Sequence, residues 1–202
     1  MNLIERAKKI LSTPKEEWLV IEQETTPAAQ LITTYLIPLA LIPAIGSFIG
    51  YGMVGYTVPF IGHVPGTITL GISRAVLAFI SPILSAFVAA FIISVLAPSF
   101  SSLKDFNKSL QLVVYSLTPM LIASIVYILP SLAILSFLAG IYGLYILYLG
   151  FAPILKTPED KVTGYFVISL VTIIVVWIVI ALILTAIFTA FAFTGASMMM
   201  MH

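Results

Sequence analysis

The stretch that decides the fold is residues 109–155, SLQLVVYSLTPMLIASIVYILPSLAILSFLAGIYGLYILYLGFAPIL, which carries no charged side chain. As one helix its 47 residues would extend about 70 Å at 1.5 Å per residue, more than twice the roughly 30 Å hydrocarbon core of a bilayer. The run therefore folds back on itself. Pro130, near its middle and followed by Ser131, is the natural turn, because proline lacks the helix-forming amide and disfavours helix for the residue before it. Two spans, about 110–129 and 132–155, follow from this turn.

Outward from this hairpin, charges act as punctuation. The other uncharged runs are 25–73, 75–103 and 162–202, and each is long enough for the roughly 20 apolar residues of a span. They predict further spans at about 28–51, 72–97 and 162–193, the last ending near Gly195 with a short tail behind it. The fold class is all-α: a polytopic membrane protein with a bundle of five transmembrane helices. Composition agrees, with 61% hydrophobic and 8% charged residues and a mean hydropathy of +1.17, against about 25% charged in an ordinary soluble domain. Residues 52–71 break the pattern, with Gly52, Gly55, Pro59, Gly62, Pro65, Gly66 and Gly71 close together. Such spacing interrupts helices and predicts an apolar non-helical or re-entrant loop.

Residues 1–27 form a separate segment ahead of the membrane domain at 28–202. Ile4, Ile10, Leu11, Trp18, Leu19 and Ile21 interleave with Arg6, Lys8, Lys9, Glu16 and Glu17, the composition of short amphipathic helices lying in the interface, with Trp18 at headgroup level. No removable signal peptide is expected, since residues 1–15 lack a continuous apolar core. Thr13-Pro14-Lys15-Glu16 and Thr157-Pro158-Glu159-Asp160 each place Thr as a helix cap, Pro at the first helical position and an acid three residues after the cap. Five spans put the termini on opposite sides. Arg6, Lys8, Lys9, Lys15, Lys104, Lys108, Lys156 and Lys161 then share one face, with Arg74 alone on the other, so the N-terminus is expected in the cytoplasm and the C-terminus outside.

Charge and motif exclude several classes. The net charge of +1 offers no field for nucleic acid. Cys is absent, His occurs twice, and no P-loop, zincin motif or nucleophile elbow is present, so no catalytic residue, metal or cofactor is assigned. Soft donors in the tail, Met198 to Met201 with His202, are of the kind Cu(I) takes, but a plain terminal tail explains them equally.

The candidate contacts are with lipid or anions. Arg74 opens the second span without an acidic partner in its half of the membrane; it is either a site or a snorkelling anchor. His63 in the neighbouring loop pairs with it as a candidate anion contact, and Trp18, Lys104 and Lys108 are candidates at the other face. Pro38, Pro43, Pro82 and Pro119 are expected to kink their helices, which serves either packing or a transport path. Gly46 and Gly50, with Ser81, Ser85 and Ala89, stand at close-packing spacing, for the bundle itself or for a dimer. Tyr142, Tyr145 and Tyr148 form a stripe suited to interhelix hydrogen bonds or to a path.

Three strings carry a resemblance. Lys15-Glu16-Glu17-Trp18 after Thr13-Pro14, Tyr115-Ser116-Leu117-Thr118-Pro119, and Leu155-Lys156-Thr157-Pro158-Glu159-Asp160-Lys161 together resemble the prokaryotic branch of the Ypt/Rab-interacting-protein (YIP) family. That resemblance implies five spans, a cytoplasmic N-terminus and a prokaryotic cytoplasmic membrane. Eukaryotic members associate with Rab-type GTPases and with one another; their first-span Asp-Leu-Tyr-Gly-Pro string is absent here. The expected role is non-enzymatic membrane organisation or scaffolding, with membrane lipids, further copies or other membrane proteins as partners. The alternative is a transporter, channel or lipid-translocating protein, which a continuous polar path would favour and a closed bundle would not.

Overall fold

The computed structural model describes residues 2–58, 60 and 62–199, with side chains described as far as Ile180 and at Leu182. Among the described residues, five helical segments are long and apolar enough to cross a membrane: Ala28–Val54, Ile68–Phe100, Phe106–Ile128, Pro130–Leu155 and Glu159–Ile180. Before them, α1 (Leu3–Ser12) and α2 (Pro14–Gln23) form a helical hairpin. Asn2 starts α1, its side chain accepting the amide of Ile4. At Thr13 the expected capping bond is not made: the hydroxyl turns back to the carbonyl of Lys9 at 3.4 Å. Thr157 is likewise taken elsewhere, bonded to Ser102 at 2.9 Å.

Proline placement shapes the spans. In the first, a π-helical turn at Ile32–Leu36 directly precedes Pro38, and Pro43 lies inside the following helix. In the third, the helix breaks at Leu117 between Phe106–Ser116 and Thr118–Ala123, because Pro119 has no amide for the carbonyl of Tyr115. The Thr118 hydroxyl donates to that carbonyl at 2.7 Å. Its only proton is thereby used, so the Tyr35 hydroxyl, 2.8 Å away, donates to Thr118.

Residues 52–71 differ from expectation. The first span continues in a π turn through Val54, and the second begins at Ile68, capped by Thr67. Between them lies an antiparallel hairpin of β1 (Tyr56–Val58) and β2 (Gly62–Val64), with Thr57 opposite His63. Gly55 enters it at φ 86°, where a Cβ would lie 2.4 Å from the Val64 carbonyl oxygen. Gly52 and Gly71 mark a crossing of the first two spans, since a Cβ on Gly71 would lie 2.6 Å from the Gly52 Cα. The last helix runs Glu159–Met199 and does not stop near Gly195. No proline follows that glycine, and one glycine inside a helix costs only about 1 kcal/mol. Of the soft-donor tail, Met200 to His202 lie outside the described residues.

The chain's charged connectors meet at one end of the bundle, called here the basic end. Lys156 pairs with Glu22, and the Lys108 ammonium donates to the carbonyls of Glu22 and Glu24, each at 2.8 Å. The Leu103 amide bonds the Leu155 carbonyl at 2.7 Å. The β-hairpin and Pro130 lie at the opposite, far end. Core side chains Ile93, Leu110, Leu112, Ile146 and Phe151 are fully buried. The last helix joins them near its start: the Tyr165 hydroxyl donates to the Ile93 carbonyl, and its ring stacks on Phe100 at 4.7 Å. Further along, Val171, Ile174, Val175, Ile178 and Val179 are exposed.

Candidate functional site: a lateral groove above a buried ion cluster

The far half of the bundle holds a groove of about 460 Å³, within the range of small-molecule sites. The second span contributes Arg74, Leu77, Ala78, Ser81, Pro82 and Ser85; the first contributes Pro43, Ser47 and Tyr51. Leu117, Met120, Leu121, Ser124 and Tyr127 of the third span form the opposite wall, with Pro130 and Ala133 at the turn. Leu77 and Ser81 are exposed, so the groove opens on the side of the bundle. Pro82 cannot donate to the Ala78 carbonyl, and the hydroxyls of Ser47, Tyr51, Ser85 and Tyr127 make no hydrogen bond among the described residues. An apolar slot with unclaimed polar atoms results. Arg74 stands at its far end, its guanidinium 5.0 Å from the centre of the Tyr51 ring, and Ser85 lies about 16 Å of helix deeper.

The groove ends blind. Its deepest third-span residue, Leu117, adjoins the buried layer of Tyr35, Thr118 and Tyr115, at most 5% exposed. Beyond that layer sits the ion cluster. Arg6, 4% exposed, pairs with Glu17, 2% exposed, and with Glu24. Its guanidinium also lies 5.5 Å from the centre of the Tyr115 ring. Burial works against the Arg6 charge, but the hydrogen bond to Glu24 and the fields around it outweigh burial and raise its pKa above the ordinary value. Trp18 completes the cluster, edge-on to Tyr115 at 6.2 Å.

Several sequence candidates take other places. Trp18 is fully buried, so it contacts no headgroup; its indole donates to the Ile146 carbonyl at 3.0 Å. Gly150 makes the room, since a Cβ there would come within 2.8 Å of the indole. Lys108 is held by the carbonyls that end α2, which removes it as a free lipid contact, whereas Lys104 is exposed. Arg74 lines the groove and His63 does not; His63 is exposed on β2. Ser81 and Ser85 line the groove. Ala89, one turn deeper, is buried. Gly46 and Gly50 meet the third span, where Cβ atoms would lie 3.1 Å from the Ser124 oxygen and 2.1 Å from the Tyr127 oxygen. The Tyr stripe ties elements together: the Tyr142 hydroxyl donates to the Leu11 carbonyl at 2.7 Å, and Tyr148 bonds Thr163 at 3.2 Å.

Sequence reasoning missed the Arg6 cluster and Tyr35. Their one signal was Arg6 and Glu17 falling on the apolar faces of α1 and α2.

The family model for the Yip1 domain matches residues 8–181. The chain belongs to the Yip1 domain family. No curated protein and no solved structure matches it. The Yip1 domain so matched takes in α2, the groove and all five spans. The three strings that resemble the family are also joined in space. Trp18 of the first packs edge-on at Tyr115 of the second, and Glu17 pairs with the Arg6 that lies over the same ring; Thr118 of the second bonds Tyr35 beside the groove-lining Leu117, and Lys156 of the third pairs with Glu22 of α2.

Proposed function

We propose that this Yip1 domain protein is a non-enzymatic membrane-organising protein that holds one anionic amphiphile, a membrane phospholipid, in its lateral groove. The observation that carries this reading is the groove's form: open to the side, charged at the far end by Arg74, apolar below, and closed at the septum of Tyr35, Thr118 and Tyr115. The phosphate pairs with Arg74, the ester oxygens meet the free hydroxyls, and one acyl chain lies along Leu77, Leu121 and Met120. A holder requires a blind site, whereas a transporter requires a continuous one. The lipid-translocating alternative keeps one specific support, the proline break at Leu117 in the septum, which is where a path would have to open.

The orientation that fits the charge distribution is the basic end in the cytoplasm of a prokaryotic cell and the C-terminus outside. The groove then serves the outer leaflet.

Mass spectrometry of the protein released from phosphatidylglycerol-containing membranes tests the holder. One retained phospholipid per chain is expected, reduced about tenfold by Arg74→Ala, an exposed position whose loss leaves the core intact. Equal retention by the variant sinks the assignment of Arg74.

A further inference from the structure

The α1–α2 hairpin enters the bundle more deeply than an interfacial segment should. Its turn is fixed beside the fourth span: Tyr142 bonds Leu11, and Ser12, Thr13, Lys15 and Glu16 line a crevice of about 320 Å³ with Tyr142 and Tyr145. The fourth span, Pro130–Leu155, has 26 residues, about 39 Å of helix. Tyr142 lies about 18 Å along it from Pro130. A hydrocarbon slab of roughly 30 Å that begins at Pro130 leaves the turn about 12 Å inside the basic-end boundary, and a slab shifted toward Leu155 leaves it deeper still.

The outer face of this hairpin carries charges among its exposed apolar side chains Ile4, Leu19 and Val20. Glu5, Lys8, Lys9, Ser12, Lys15 and Glu16 are all exposed, and Glu5 and Lys9 pair at 3.4 Å. A lysine can snorkel toward the boundary, but the glutamates have shorter stems. Nor can the hairpin simply rise, because Arg6 lies over the Tyr115 ring of the third span and Trp18 is bonded to Ile146 of the fourth. Charges at that depth must be solvated, and phospholipid headgroups with their water are the polar matter a bilayer supplies.

We propose that the hairpin turn draws phospholipid headgroups of the basic-end leaflet down to the level of Tyr142 and Tyr145, thinning that leaflet beside the third and fourth spans. A headgroup phosphate seats in the crevice against the Lys15 ammonium, and Lys8 binds a neighbour. This surface faces the leaflet opposite the groove and stands whether or not the groove holds a lipid.

The absence of native cysteine makes the test direct. Spin labels are placed in the full chain at Ser12→Cys, at Leu84→Cys near the middle of the second span, and at Glu159→Cys at the basic end. All three sites are exposed. In liposomes of phosphatidylethanolamine and phosphatidylglycerol, collision with a water-soluble nickel chelate should be similar, within about threefold, at positions 12 and 159, and at least tenfold lower at 84. A second pair of labels, at Ser12→Cys and Tyr145→Cys, should report a short distance. A label at 12 as inaccessible as that at 84 overturns the proposal, since the docked turn would then be dry. A long distance from 12 to 145 also overturns it, since the hairpin would then lie on the membrane surface.

Discussion

Replacing Gly50 by alanine is expected to destabilise the bundle by about 1–3 kcal/mol or more, the usual cost of overpacking. The added methyl would sit 2.1 Å from the Tyr127 carbonyl oxygen and 3.1 Å from the Pro130 ring. A carbonyl on the main chain cannot rotate out of the way as a side chain can, so the first and third spans must separate. Gly46, one turn earlier, is nearly as tight, with 3.1 Å to the Ser124 oxygen, so no slack is available nearby. Thermal unfolding in detergent, followed by the helical signal, measures the effect. Gly140→Ala is the control: its nearest neighbours are atoms of the Met120 side chain at 3.7 Å or beyond, and no loss is expected but a gain of up to about 1 kcal/mol from helix propensity. Equal shifts for the two variants would mean that the spans do not meet at Gly50.

Removing the Glu17 carboxylate should cost about 3–5 kcal/mol, because Glu17→Ala leaves a buried guanidinium with one partner fewer. Arg6 and Glu17 have side chains only 5% and 3% exposed, while Glu24 is 32% exposed and gives partial compensation. The value should therefore fall at the lower end of that range. Surface pairs such as Lys156 with Glu22 contribute far less, about 0–1 kcal/mol. Denaturant unfolding of Glu17→Ala beside the double variant Arg6→Leu/Glu17→Leu separates lost pairing from lost packing. The double variant should recover most of the stability, since the one charge left without its partner, Glu24, is 32% exposed and can be solvated. A double variant as unstable as the single one would show that the cluster's value is in its shape rather than its charge balance.

These two positions mark what was legible in the sequence. Gly46 and Gly50 could be read as a packing face because spacing alone puts them on one side of a helix. The turn at Pro130 could be read because length forbids a single span. Trp18 could not be placed, because an amphipathic pattern says that one face is apolar but not what covers it. The covering surface depends on Gly150, far away in the chain, whose missing side chain admits the indole. Ser81 and Ser85 show the same ambiguity. Small residues at helical spacing suit a close contact and a groove floor equally, and spacing within one helix carries no record of how its neighbours pack. Residues 52–71 were legible as a helix interruption, but their glycines served two purposes: a hairpin entry at Gly55 and a crossing of the first two spans at Gly52 and Gly71.

The groove and the hairpin belong to opposite leaflets only if the basic end and the Pro130 turn lie on opposite sides of the membrane. Single cysteines at positions 104, 156 and 130, labelled in intact cells and in inverted vesicles with a membrane-impermeant maleimide, test this most directly. Positions 104 and 156 should react only from the cytoplasmic side and position 130 only from outside; reaction of 104 and 130 from the same side would contradict the five-span bundle.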